Sequence, residues 1–191
     1  QGGDITTGIF SRSIGGPGNA GNVEVSTNGD LSIVKGGTID SDTYSSAHAG
    51  TVKVSAGSIA IDEQGSNGFT GIFSLAEFGN AGSVEVAASG SVSIVNGGQI
   101  ASDTSSSGHA GAVKVSASSI TIDEQRSGAG FTGIFSQSLG TGHAGSVDVS
   151  ATGNLSIVNG GQISSASLSS GNAGTVKVRA GNISIDGQNG A

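Results

Sequence analysis

The chain has 191 residues, of which 36 are glycine, one is proline and none is cysteine, methionine or tryptophan. The missing cysteine excludes disulfides and thiolate metal sites, and so much glycine without a three-residue period excludes collagen. A formal charge of −7 with seven Lys plus Arg argues against nucleic acid or an anionic membrane as the main partner, and no apolar run approaches the roughly 20 residues that span a bilayer.

The apolar residues are almost all Val, Ile and Leu in short alternating runs, which is strand periodicity and not disorder. In chain order the first run surrounds Ile9, and it is followed by Val23-Glu24-Val25 and Leu31-Ser32-Ile33. The same three runs then recur at Ile39, Val52 and Ile59, at Ile72, Val84 and Val92, and at Ile100, Val113 and Ile120. They recur again at Ile134, Val147 and Leu155, and at Ile163, Val176 and Ile183. An Asn/His-Ala-Gly tripeptide stands just before each Val-x-Val run, with its alanine at Ala20, Ala49, Ala81, Ala110, Ala144 and Ala173.

The units alternate between two kinds. One carries Ser-Ile-Val-Lys/Asn-Gly-Gly-x-Ile, at Ser32–Ile39, Ser93–Ile100 and Ser156–Ile163. The other carries Ile-Asp-Glu-Gln, a glycine-rich insertion and Phe-Thr-Gly-Ile-Phe-Ser, at Ile61–Ser74 and Ile122–Ser136. The repeat is therefore a pair of units of about sixty-two residues, present three times.

A propeller blade needs hairpins between its strands, and no Asn-Gly or Asp-Gly pair sits directly between two neighbouring strands. The pattern predicts an all-β fold: a right-handed parallel β-helix of three short strands per coil, with about six coils in three double-coil repeats. Residues 1–191 then form a single β-helical segment of a longer rod. Equivalent strands stack about 4.8 Å apart, with the alternating aliphatic side chains pointing inward. The glycine after each repeated alanine is expected to take a positive φ at a corner.

Stacking turns outward positions into ladders. Glu24, Lys53, Glu85, Lys114, Asp148 and Lys177 alternate acid and base coil by coil. This predicts a structural charge ladder that sets register, since slipping by one coil would place like over like. A second ladder reads Val34, Asp62, Val95, Asp123, Val158 and Asp186, and a third, at the tripeptide, reads Asn19, His48, Asn80, His109, His143 and Asn172. The three His lack a clustered carboxylate to complete a metal site, so capping or surface roles are expected and no metal or cofactor is assigned.

Asp40 with Asp42, or Asp62 with Glu63, could supply the paired carboxylates of glycoside hydrolysis. However, Asp62-Glu63 is duplicated as Asp123-Glu124, and Asp40-Ser41-Asp42 is echoed only in part at Ala101-Ser102-Asp103. Catalysis needs one asymmetric constellation, so no catalytic residue is assigned and the chain is read as not an enzyme. Alternation places Phe10, Phe73 and Phe135 outward on every second coil, which makes them the candidates for contact with a partner. Phe69 and Phe131 lie just upstream, where a folded-back insertion would cover the outward rings as a small satellite core.

The motifs Asn-Ala-Gly-x-Val-x-Val at Asn80–Val86, Gly-x-Leu-Ser-Ile at Gly153–Ile157 and Asn-Gly-Gly-Gln-Ile-x-Ser at Asn159–Ser165 resemble the repeat tracts of large bacterial exoproteins of the filamentous haemagglutinin type. The resemblance implies an adhesin-like exoprotein, secreted across a Gram-negative outer membrane, usually by a two-partner system, and placed outside the cell or at its surface. It also implies a long β-helical shaft. The expected function is a structural or adhesive extracellular rod or filament segment. Its expected partners are neighbouring copies or flanking β-helix sequence end to end, and surface polysaccharide or a host or neighbouring cell surface. The alternative is a carbohydrate-binding or carbohydrate-active β-helix. Because the chain starts at Gln1 without an initiator methionine, it reads as a fragment or processed product with its targeting information elsewhere. Joining two copies end to end continues the charge ladder from Lys177 to Glu24.

Overall fold

The computed structural model describes residues 7–65, 68–125 and 131–187. It is all-β, a solenoid of six three-stranded coils. The first coil holds β1 (Thr7–Ser13), β2 (Val23–Ser26) and β3 (Leu31–Val34), and the second β4 (Gly37–Thr43), β5 (Val52–Ala56) and β6 (Ile59–Asp62). The third holds β7 (Thr70–Ala76), β8 (Val84–Ala88) and β9 (Ser91–Val95), and the fourth β10 (Gly98–Thr104), β11 (Val113–Ala117) and β12 (Ser119–Asp123). The fifth holds β13 (Gly133–Ser138), β14 (Val147–Ala151) and β15 (Asn154–Val158), and the sixth β16 (Gln162–Ser167), β17 (Val176–Arg179) and β18 (Asn182–Asp186). Every third strand stacks in parallel, giving three six-stranded sheets: sheet A from β1 to β16, sheet B from β2 to β17 and sheet C from β3 to β18. Among the described residues no helix is long and apolar enough to cross a membrane.

The register follows the repeated identities residue for residue. Ile39 pairs with Ile9 and Ile72, and Ile100 with Ile72 and Ile134. The inward aliphatic side chains of all three sheets merge into one apolar column, in which Ile61, Ile72, Val86, Ile94, Val115 and Ile122 have no solvent exposure. Burying each contributes about 1.5–3 kcal/mol, and this column sets the phase of every strand because a one-residue slip would turn it to solvent.

The Asn/His-Ala-Gly corner works differently from the expectation. Gly21, Gly50, Gly82, Gly111, Gly145 and Gly174 do not take a positive φ. They are glycine because successive coils approach so closely that a Cβ on Gly50, Gly82, Gly111, Gly145 or Gly174 would lie within 3.0 Å of the preceding corner glycine's carbonyl. Positive φ occurs instead at the turns from sheet C to sheet A, at Lys35, Asn96 and Asn159 (50° to 52°) and at the glycines that follow them. Asparagine suits this left-handed position, and Asn96 and Asn159 also donate from Nδ2 to Asp62 and Asp123 of neighbouring coils at 3.0 and 2.8 Å.

A buried serine row fastens each corner to the next. Ser102 Oγ donates to the Gly82 carbonyl and accepts from Gly111 N–H, both at 2.8 Å. Ser41, Ser74, Ser136 and Ser165 make the same pair of bonds on their own coils. Outside, the alternating charges lie in register from Glu24 against Lys53 through to Asp148 against Lys177. Lys114 Nζ lies 3.5 Å from Glu85, and Arg179, not Lys177, forms the close pair with Asp148 at 3.1 Å. Lys114→Glu places three acids in succession and is expected to cost about 1 kcal/mol at low salt. The loss should shrink in 1 M salt, where the screening length falls to about 3 Å. Thermal melts at the two salt concentrations check this, and an unchanged melt at low salt would contradict a register role.

Candidate functional site

The outward face of sheet A departs from the regularity of the other two. Its outward row next to the inward isoleucines reads Phe10, Asp40, Phe73, Ala101 and Phe135 from β1 to β13, and the row two residues on reads Arg12, Asp42, Leu75, Asp103 and Gln137. The turns before β7 and β13 bring Phe69 edge-on to Phe73, with ring centroids 6.0 Å apart, and Phe131 edge-on to Phe135 at 6.4 Å. Glycine at positions 71 and 133 permits this, with φ of 152° and 153°, because a side chain at either would strike the carbonyl of Gln99 or Gln162.

Of the three phenylalanines read as partner contacts, Phe73 and Phe135 point outward but are only 2% exposed, forming a satellite core with Ala101 and Leu75. Phe10 is 46% exposed and lies under the Arg12 guanidinium, 4.7 Å from its ring centroid. Among the described residues the most exposed aromatic rings are Phe69 and Phe131, at 69% and 63%. Between these rims and the strands lies a groove of about 710 Å³, floored by Phe73, Phe135 and Leu75 and bearing Asp42, Asp103 and Glu77.

The carboxyl groups have distinct surroundings. Asp40 and Asp42 are 2% and 4% exposed. Arg12 Nη2 donates to Asp42 at 3.1 Å and to Asp40 at 3.4 Å, and the Thr38 hydroxyl donates to Asp40 at 2.5 Å. Burial, the Asp40 charge and a hydrogen bond shared with Asp40 push the Asp42 carboxyl up to about 7, against the pull of Arg12. Among the described residues Asp42 Oδ1 has no hydrogen-bond donor. Asp103, partly buried, is also pushed up to about 7 by burial, opposed by the Gln137 amide, which donates to its Oδ1 at 3.0 Å. At the turns of the second kind of unit, burial first and the Glu124 charge second raise the Glu63 carboxyl, and Glu124 accepts from the Thr132 hydroxyl.

The Asn/His ladder is a row of caps. Asn19 Oδ1, His48 Nδ1, Asn80 Oδ1, His109 Nδ1 and His143 Nδ1 each accept the backbone N–H of the equivalent residue one coil on, at 2.8 to 3.1 Å. An accepting Nδ1 fixes these rings as the Nε2–H tautomer, and the rings of His109 and His143 stack with centroids 4.9 Å apart. Among the described residues no group of three or more His, Cys, Asp or Glu could hold a metal ion.

Sequence reasoning overlooked the groove because Asp103 counted only as an incomplete echo of Asp40-Ser41-Asp42. The signal was present: Asp42 and Asp103 occupy equivalent positions on β4 and β10, one repeat apart, while the equivalents of Arg12 are Leu75 and Gln137. No family model, curated protein or solved structure matches the chain.

Proposed function

We propose that this chain is a segment of a structural or adhesive extracellular rod, of the kind found in secreted bacterial exoproteins of the filamentous haemagglutinin type, and that its coils stack end to end on neighbouring copies or flanking β-helix. The observation that carries this reading is the uncovered column at the sixth coil. Val176, Ile183 and Ile185 are 42%, 50% and 74% exposed, whereas Val147, Leu155 and Ile122, inward on earlier coils, are at most 1% exposed. A further coil of the same pattern would bury them, each worth about 1.5–3 kcal/mol, and would satisfy the open strand edges. The charge ladder supports the same direction of stacking, because Lys177 ends it on one side and Glu24 on the other. In this reading the regular strands serve length and stiffness, and no catalytic step is assigned to them.

Sedimentation velocity of the purified chain tests the proposal. The sedimentation coefficient should rise with concentration, and Ile183→Lys should abolish the rise. A lysine at this half-exposed position is tolerated in the single chain but not inside a join. A single-chain species at every concentration, or a variant that assembles as the wild type does, would refute end-to-end stacking between copies.

A further inference from the structure

We propose that the groove over sheet A is a docking site for an arginine side chain of a partner protein, seated on Asp103 between the Phe69 and Phe131 rims, and that Arg12 on Asp42 is its filled counterpart within the chain. This inference is independent of the rod reading.

The comparison is internal to the repeat. On β1, Arg12 lies beside Asp42 in register, its guanidinium 3.1 Å from the carboxylate, 4.7 Å from the Phe10 centroid and 5.8 Å from that of Tyr44. A carboxylate with aromatic rings around it holds a guanidinium both by charge and through the ring faces. One repeat further on, Phe73 replaces Phe10 and Asp103 replaces Asp42, but Leu75 stands where Arg12 would be. The other neighbour of Asp103 is Gln137, and among the described residues Asp103 enters no ion pair. One carboxylate and one ring of the arrangement are therefore repeated without the cation, while Ala101 stands in the place of Asp40 and Ser105 in that of Tyr44.

The groove has the size and sign for one. Its volume of about 710 Å³ falls within the roughly 300–1,000 Å³ of ordinary ligand sites. Among the described residues its charged groups are Asp42, Glu77 and Asp103, with no Lys or Arg. Asp42 adds an oxygen, Oδ1, that is buried and lacks a donor among the described residues. The apolar floor suits the methylene stem of an arginine, and the exposed rims suit its planar head. An anionic ligand would meet three acids, and a neutral glycan would leave the charge at Asp103 unanswered.

Titration of the intact chain with acetyl-Gly-Arg-Gly-amide, followed by the ring resonances of Phe69 and Phe131, tests the site. The same peptide with neutral citrulline in place of arginine isolates the charge. The arginine peptide should shift both rings saturably, and the citrulline peptide should bind at least tenfold more weakly. Asp103→Asn, which retains an oxygen for the Gln137 amide, should weaken arginine binding at least tenfold, while Asp30→Asn on another face should not. Leu75→Arg should place a guanidinium on Asp103 as Arg12 is placed on Asp42, and so abolish peptide binding. Equal binding of the two peptides, or unchanged binding to Asp103→Asn, would overturn the proposal. So would a neutral oligosaccharide that shifts the rings equally well in wild type and Asp103→Asn. Agmatine binding as tightly as the peptide would overturn the assignment to a protein partner.

Discussion

Gly111→Ala is expected to destabilise the solenoid by about 3 kcal/mol or more, at the upper end of what overpacking costs. The added methyl would lie within 3.0 Å of the carbonyl oxygen and carbon of Gly82 and of the Ser83 nitrogen. These are backbone atoms of the neighbouring coil, so no rotamer change relieves the clash. Moving the coils apart would also stretch the bonds that Ser102 makes to both corners, at a further cost of about 1–3 kcal/mol if a buried group loses its partner. Gly18→Ala is the control, because nothing lies within 4 Å of a Cβ there, and it should change stability by no more than about 0.5 kcal/mol. Urea unfolding of the two variants separates close approach from a general need for glycine: equal losses would mean that the contact between corners is not the reason for glycine at position 111.

The second large effect is on the pH dependence of stability. Burial raises Asp42 and Asp103 to about 7, against an unfolded carboxyl near 3.9. Between those values the folded chain holds protons that the unfolded chain releases, so stability falls as pH rises from about 4 to about 7 and levels off above. Each group contributes a slope on the order of 1.4 kcal/mol per pH unit at most. The groove side of Asp103 is open to water, and that reduces its share. Asp103→Asn keeps the shape but removes the titration. It should match the wild type near pH 4, exceed it in melting temperature at pH 8, and flatten the profile between. A variant no more stable than wild type at pH 8 would show that the carboxylate at position 103 carries no burial cost.

The strand phases and the register were legible in the sequence because a parallel solenoid repeats the same environment coil after coil. Val52 and Val84, or Lys53 and Glu85, meet because each stands at the same offset from its own Asn/His-Ala-Gly. The serine row was not legible. Ser41 or Ser102 follows Ile-x in a strand of a serine-rich chain, and nothing at that level separates an inward serine bonded to two corners from one at the surface. The corner glycines were recognised as obligatory but for the wrong reason, since glycine serves both positive φ and close approach, and only neighbouring backbone distinguishes them. The groove needed three dimensions, because Phe69 reaches Phe73 around a turn and Asp103 gains its character from burial between Leu75 and Gln137. Its one sequence trace is the substitution of Leu75 and Gln137 for Arg12.

Electron microscopy of the concentrated, purified chain tests the central claim most directly. Stacking in register predicts unbranched rods with an axial spacing of about 4.8 Å and lengths in steps of about 29 Å, the height of six coils. Uniform particles of single-chain length at every concentration would contradict it.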